Sequence, residues 1–150
     1  MNRFITQFLI GTIGISALIS PVLAKTTADA AWARATVAGQ NMGGAYVTLT
    51  SDRDAKLIAA SSPVAKSMEL HTMTMEGERM VMQPVRSIEL PANQPVALTG
   101  KYHLMFMGLN QPLAEGSTVP VTLKIKLSSG YVESLTLQVP VRSLAHTATH

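Results

Sequence analysis

The stretch TVPVTLKIKLSSGYVESLTLQVPV, residues 118–141, decides the fold class. Val119, Val121, Leu123, Ile125 and Leu127 alternate with polar residues or proline. After Ser128-Ser129-Gly130, Leu135, Leu137, Val139 and Val141 do the same. Successive side chains of a strand point to opposite faces, so the pattern predicts a β-hairpin with one buried face. Pro120 and Pro140 each lack a ladder donor and are expected at edges or bulges. Upstream, Ala45, Val47 and Leu49 alternate with Tyr46, Thr48 and Thr50. Turn-forming clusters at residues 39–44, 51–54, 61–63, 91–94 and 111–117 divide the chain into about eight short strands, and no apolar stripe of helical period runs over three turns. The expected architecture is all-β: a single-domain, Ig-like β-sandwich.

Composition narrows the function. The chain has 150 residues, a net charge of +3 and no cysteine. The charge is small and its Lys and Arg scattered, which argues against nucleic acid as a partner. The absence of cysteine excludes disulfides, thiol redox chemistry, thiolate zinc sites and the thiolate of a blue-copper centre. Residues 1–24 read as a signal peptide: Arg3, an apolar run from Phe4 to Ile19, a break at Ser20-Pro21, then Val22-Leu23-Ala24. Cleavage is expected after Ala24, with Ala30 as the other site, giving an exported, periplasmic protein whose mature form has no membrane span. Residues 25–142 would be the sandwich domain and residues 143–150 a flexible tail containing His146 and His150. Residues 25 to about 30 are also expected to be mobile.

Nine methionines stand beside one Trp, three Tyr and three Phe, and six of them, Met73, Met75, Met80, Met82, Met105 and Met107, lie close together. His71-Thr72-Met73 and His103-Leu104-Met105 repeat a His-x-Met spacing, and Met80-Val81-Met82 repeats the interval. In a strand, residues two apart share a face. Methionine most often fills cores, and a single histidine is most often structural. Parity argues otherwise here. His103, Met105 and Met107 fall opposite Leu104 and Phe106, and Ser67, Glu69, His71 and Met73 fall opposite Met68 and Leu70. Met68 alone of these methionines sits on the apolar face and reads as core. Thioethers are neutral and soft, so a His/Met set favours Cu(I) over hard cations and over zinc.

With those residues in view, the chain resembles the periplasmic copper chaperones of the PCu(A)C family over nearly all of the mature length. The resemblance runs from Ala31-Trp32-Ala33-Arg34-Ala35-Thr36 and Gly44-Ala45-Tyr46 to Glu69-Leu70-His71 and Met80-Val81-Met82-Gln83-Pro84-Val85. It continues through Leu90-Pro91-Ala92, residues 102–109, Gln111-Pro112-Leu113, Gly116 and the strand at 119–127. It implies a cupredoxin-like fold and one Cu(I) held by His71, Met82, His103 and Met105, with Met80 and Met73 as substitutes for Met82. Between Met82 and His103 the chain is one residue shorter than the usual family pattern, a deficit placed in the turn at residues 94–101. Thr72 stands where the family usually has an acidic residue after the first histidine. Relatives often carry a His- and Met-rich tail for Cu(II), and here His146 and His150 are the candidates for a second, weaker Cu(II).

The function implied is a metallochaperone, not an enzyme, delivering Cu(I) to a copper-accepting protein such as a cytochrome c oxidase subunit or another copper chaperone. Copper sequestration or tolerance is the alternative within the same chemistry, and a metal-free adhesion or assembly module the alternative outside it. No Ser-His-Asp set with a nucleophile elbow, metalloprotease helix or phosphate loop is present in the sequence.

Overall fold

The computed structural model describes residues 25–143 and 145. The signal-peptide reading and both tail histidines lie outside the described residues. Ten strands are described: β1 (Thr26–Arg34), β2 (Met42–Ser51), β3 (Ala55–Ser61), β4 (Ala65–Glu76), β5 (Arg79–Val85), β6 (Ile88–Leu90), β7 (Val96–Leu98), β8 (Tyr102–Leu109), β9 (Thr118–Leu127) and β10 (Val132–Arg142). Their hydrogen-bonded order is β5-β4-β8-β2-β1-β10-β9-β3-β6, with β7 on β2. A short parallel contact, Ala33 with Val141 and Arg34 with Arg142, joins the two halves. Apolar faces of both halves meet in one core that includes Val47, Leu49, Leu57, Leu104, Phe106, Leu123 and Ile125. This is the all-β sandwich expected from the alternation.

The deciding hairpin forms as read. Val119, Val121, Leu123, Ile125 and Leu127 are buried, and β9 pairs with β10 without a slip from Val132–Lys126 to Pro140–Thr118. The prolines need correction: β9 and β10 are interior strands, and the ladder has no bulge at either. Each proline instead sits where a flanking neighbour is unpaired. Pro120 lies beyond the last β3 pair, Ser61 with Thr122, and Pro140 just before the first β1 pair. A missing donor costs nothing where there is no acceptor.

Three further expectations give way to packing. Residues 25–30 are not a loose end, because β1 begins at Thr26, which is buried and bonded through its backbone N–H and hydroxyl to the Glu133 carboxylate. The glycine cluster at 39–44 turns only as far as residue 41. Gly43 lies within the β2 ladder, where a Cβ would come within 3.3 Å of both Leu113 and Thr36. The turn at 94–101 contains β7, drawn in by the fully buried Leu98 opposite Val47.

Met68 is buried, whereas Met80 is 65% exposed. Met68→Ala should therefore cost about 2–5 kcal/mol in denaturant unfolding, and Met80→Ala should stay within about 0.5 kcal/mol. Equal costs would contradict the division of faces.

Candidate metal centre

The site lies on the outer face of β5-β4-β8-β2, opposite the core. Alternation sends Met68, Leu70, Leu104 and Phe106 inward, so their neighbours in sequence must face outward. β4 and β8 pair antiparallel with His71 directly opposite His103, Glu69 opposite Met105 and Ser67 opposite Met107. On the other side of β4, Pro84 is opposite His71, Met82 opposite Met73 and Met80 opposite Met75. β2 adds Gly44 opposite Met105 and Met42 opposite Met107. Paired residues share a face. All four residues implied by the resemblance, His71, Met82, His103 and Met105, therefore project from one surface, and so do the substitutes Met73 and Met80. Met82 is on the far strand, paired with Met73, one same-face rung along from His71 and Pro84.

Both histidines are buried, His71 at 9% exposure and His103 at 6%, and their ring centroids are 5.9 Å apart. His71 Nε2 meets Glu69 Oε2 at 2.7 Å. His103 is hydrogen-bonded to the backbone of Gly100. One nitrogen of each ring, His71 Nδ1 and His103 Nε2, is buried without a partner. An unsatisfied buried polar atom costs about 1–3 kcal/mol, so the two nitrogens mark these adjacent rings as a candidate ligand site. Among the described residues, no three His, Cys, Asp or Glu side chains cluster to hold a metal. The methionines that share this face offer thioethers, donors that favour a soft cation.

Glu69 is the residue the sequence reading did not single out. Thr72, where the family usually has an acidic residue, is buried on the opposite parity and pairs with Tyr102. The carboxylate that orients His71 comes from two residues before it, on the same face. A carboxylate bonded to one ring nitrogen fixes the tautomer and raises the donor strength of the other. The signal was the parity of Glu69 with His71. On the β2 side, Trp32 and Tyr46 stack with centroids 4.5 Å apart, and the Arg34 guanidinium lies 5.8 and 5.9 Å from their rings. Tyr46 folds back over Gly44, where an added Cβ would be 2.8 Å from its hydroxyl. The aromatic stack thus borders the site beside Met105.

The family model described as "Putative lipoprotein LpqE-like" matches residues 26–141, nearly all of the described chain. The chain belongs to the LpqE-like family. "Putative lipoprotein Lxx21020" of Leifsonia xyli subsp. xyli (strain CTCB07) is 32% identical over 96 residues, 63% of this LpqE-like chain and 58% of that protein. The match thus spans well under two thirds of that relative's length. Among solved structures, the solution structure of CuI-DR1885 from Deinococcus radiodurans is 32% identical, with a TM-score of 0.51, covering 87% of this chain and 83% of that one. The copper-bound PCuAC domain from PmoF2 has a TM-score of 0.64 at 20% identity, covering 79% and 93%, and this likeness bears on fold alone. The PCu(A)C resemblance read from the sequence is borne out by these relatives.

Burial, foremost, and then the neighbouring His71 hold the His103 pKa below the ordinary value of 6.5, while the bond to Gly100 opposes them. The unfolded chain takes up this proton at a higher pH than the folded chain. Stability from the neutral ring is therefore fully present above the unfolded value and is lost as pH falls through the window beneath it. The melting temperature of the metal-free protein should drop as pH falls below the ordinary value of 6.5, and His103→Phe should reduce that drop. An unchanged pH dependence in the variant would contradict the assignment.

Proposed function

We propose that this protein is a copper-binding metallochaperone of the bacterial envelope, holding one Cu(I) through His71, Met82, His103 and Met105. The observation that carries this reading is the pair of buried, partnerless ring nitrogens, His71 Nδ1 and His103 Nε2, on a face otherwise furnished with thioethers. Two imidazoles and two thioethers add no charge, so the ion keeps its own positive charge. The site requires no deprotonated ligand and forms no disulfide in an oxidising compartment. The Cu(I) form of the 32%-identical Deinococcus radiodurans protein supports the choice of cargo.

Delivery follows from the unequal donors. A thioether is the weaker ligand and leaves first, opening a position for a donor from the acceptor while the imidazoles still hold the ion. The acceptor we infer is a copper centre of cytochrome c oxidase or another copper chaperone. Among the described residues, no helix is long and apolar enough to cross a membrane. Export by the signal peptide at residues 1–24 is part of the same reading. Cleavage after Ala24 is favoured over cleavage after Ala30, because the second cut would remove Thr26 and its bonds to Glu133 from β1. A weaker Cu(II) site at His146 and His150 remains part of the proposal and rests on the sequence alone.

Met105→Leu conserves volume and removes the donor, so folding should survive. In anaerobic titration against a competing chelator, wild type should bind one tight Cu(I) and the variant should bind measurably more weakly. Unchanged affinity would remove Met105 from the ligand set. Glu69→Gln keeps the shape but weakens the support of His71, and should lower Cu(I) affinity by roughly 10–100-fold. Unchanged affinity would mean that Glu69 does not act on the site.

A further inference from the structure

The hairpin of β4 and β5 extends past the histidines to a turn at Gly77, where φ is +62°. Its two faces differ in chemistry. On one, Gln83 donates to the Glu76 carboxylate and the Thr74 hydroxyl donates to the Val81 carbonyl. On the other, two successive rungs consist only of methionine: Met73 opposite Met82, then Met75 opposite Met80. Met75 is 61% exposed, Met80 65% and Met82 45%, so packing does not account for them. Water-facing hairpin positions are ordinarily polar, and three solvent-exposed thioethers on one face carry a hydrophobic cost without a core to offset it.

We propose that Met75 and Met80, together with Met73, form a second, all-thioether station for a soft monovalent cation at the tip of the β4–β5 hairpin. Directly opposed residues have Cβ atoms about 4.5–5.5 Å apart, and same-face neighbours along a strand are about 7 Å apart. Methionine's unbranched, flexible side chain lets both sulfurs of the outer rung and one of the inner rung converge on a single ion. Met73 is the member not claimed by the proposed Cu(I) site. The other outlying rung, Met42 opposite Met107, adjoins only Met105, which the first ion uses, so it lacks a free third sulfur.

Having no imidazole and facing water, the outer station binds more weakly than the histidine site. Because β5 is the outermost strand of its half, the ladder ends at a free edge. Cu(I) can move along it by exchange of one thioether for another, without a change in oxidation state. The outer station is then where cargo enters and leaves. This deepens the copper reading and rests on it for the identity of the cargo, but not for the station's capacity to bind.

Silver(I), a soft monovalent cation, is the probe, added to the purified protein labelled with ¹³C at the methionine methyls. The first equivalent should move the Met82 and Met105 signals, and the second those of Met75, Met80 and Met73, before Met42 responds. The variant Met75→Leu should weaken the second step at least tenfold and keep the first-step affinity. It should also release silver to a chelator more slowly. Met75 and Met80 signals that stay in place while Met82 and Met105 move would overturn the station and leave the copper reading standing. Movement of Met75 and Met80 with Met105 unmoved would do the reverse. A Met75→Leu variant that retains the second step at full affinity, or loses the first, would also overturn the station. The wild-type spectrum decides even where a variant fails to fold.

Discussion

The antiparallel pairing of β4 with β8 is the constraint on which the rest of this protein depends. One register does two things at once. It buries Met68, Leu70, Leu104 and Phe106 against the opposite half of the sandwich, and it sets His71 against His103 on the other side. A slip of one residue would turn Leu104 and Phe106 to solvent and put His103 in the core. Core packing therefore sets the two imidazoles opposite each other, and Glu69 and Gly100 then hold the individual rings. The rigidity of the pair is inherited from the packing beneath it.

The outer face then differs from the usual solvated side of a sandwich. Its centre is a buried imidazole pair with two unused nitrogens, braced by Glu69 on one ring and by Gly100 on the other. Thioethers surround that centre, and the stack of Trp32, Tyr46 and Arg34 closes it on the β2 side. Soft, neutral donors around a desolvated imidazole pair suit a soft monovalent ion.

Much of this was legible in the chain itself. Period-two alternation at residues 118–141 is enough to identify the hairpin, and the parity of His71, His103 and the methionines is enough to place them on one outer face, because both depend on local geometry. Positions decided by long-range contacts were not legible. The glycines at 43 and 44 read as turn but serve close approach within β2, and residues 96–98 read as loop but are pulled into a strand by Leu98. Thr26 became ordered through Glu133, more than a hundred residues away. The prolines were misplaced because a strand can be interior overall and unpaired at a single residue. Thr72 drew attention by its place next to His71, whereas the carboxylate that acts on that ring is the same-face neighbour, Glu69.

X-ray absorption at the copper edge of the anaerobically loaded, one-equivalent protein tests the central claim most directly, since it counts donor types without relying on a variant. The account predicts a Cu(I) edge with nitrogen and sulfur neighbours in equal number, the nitrogen shell showing the outer-shell scattering of imidazole. A first shell without sulfur, or one without imidazole, would contradict it.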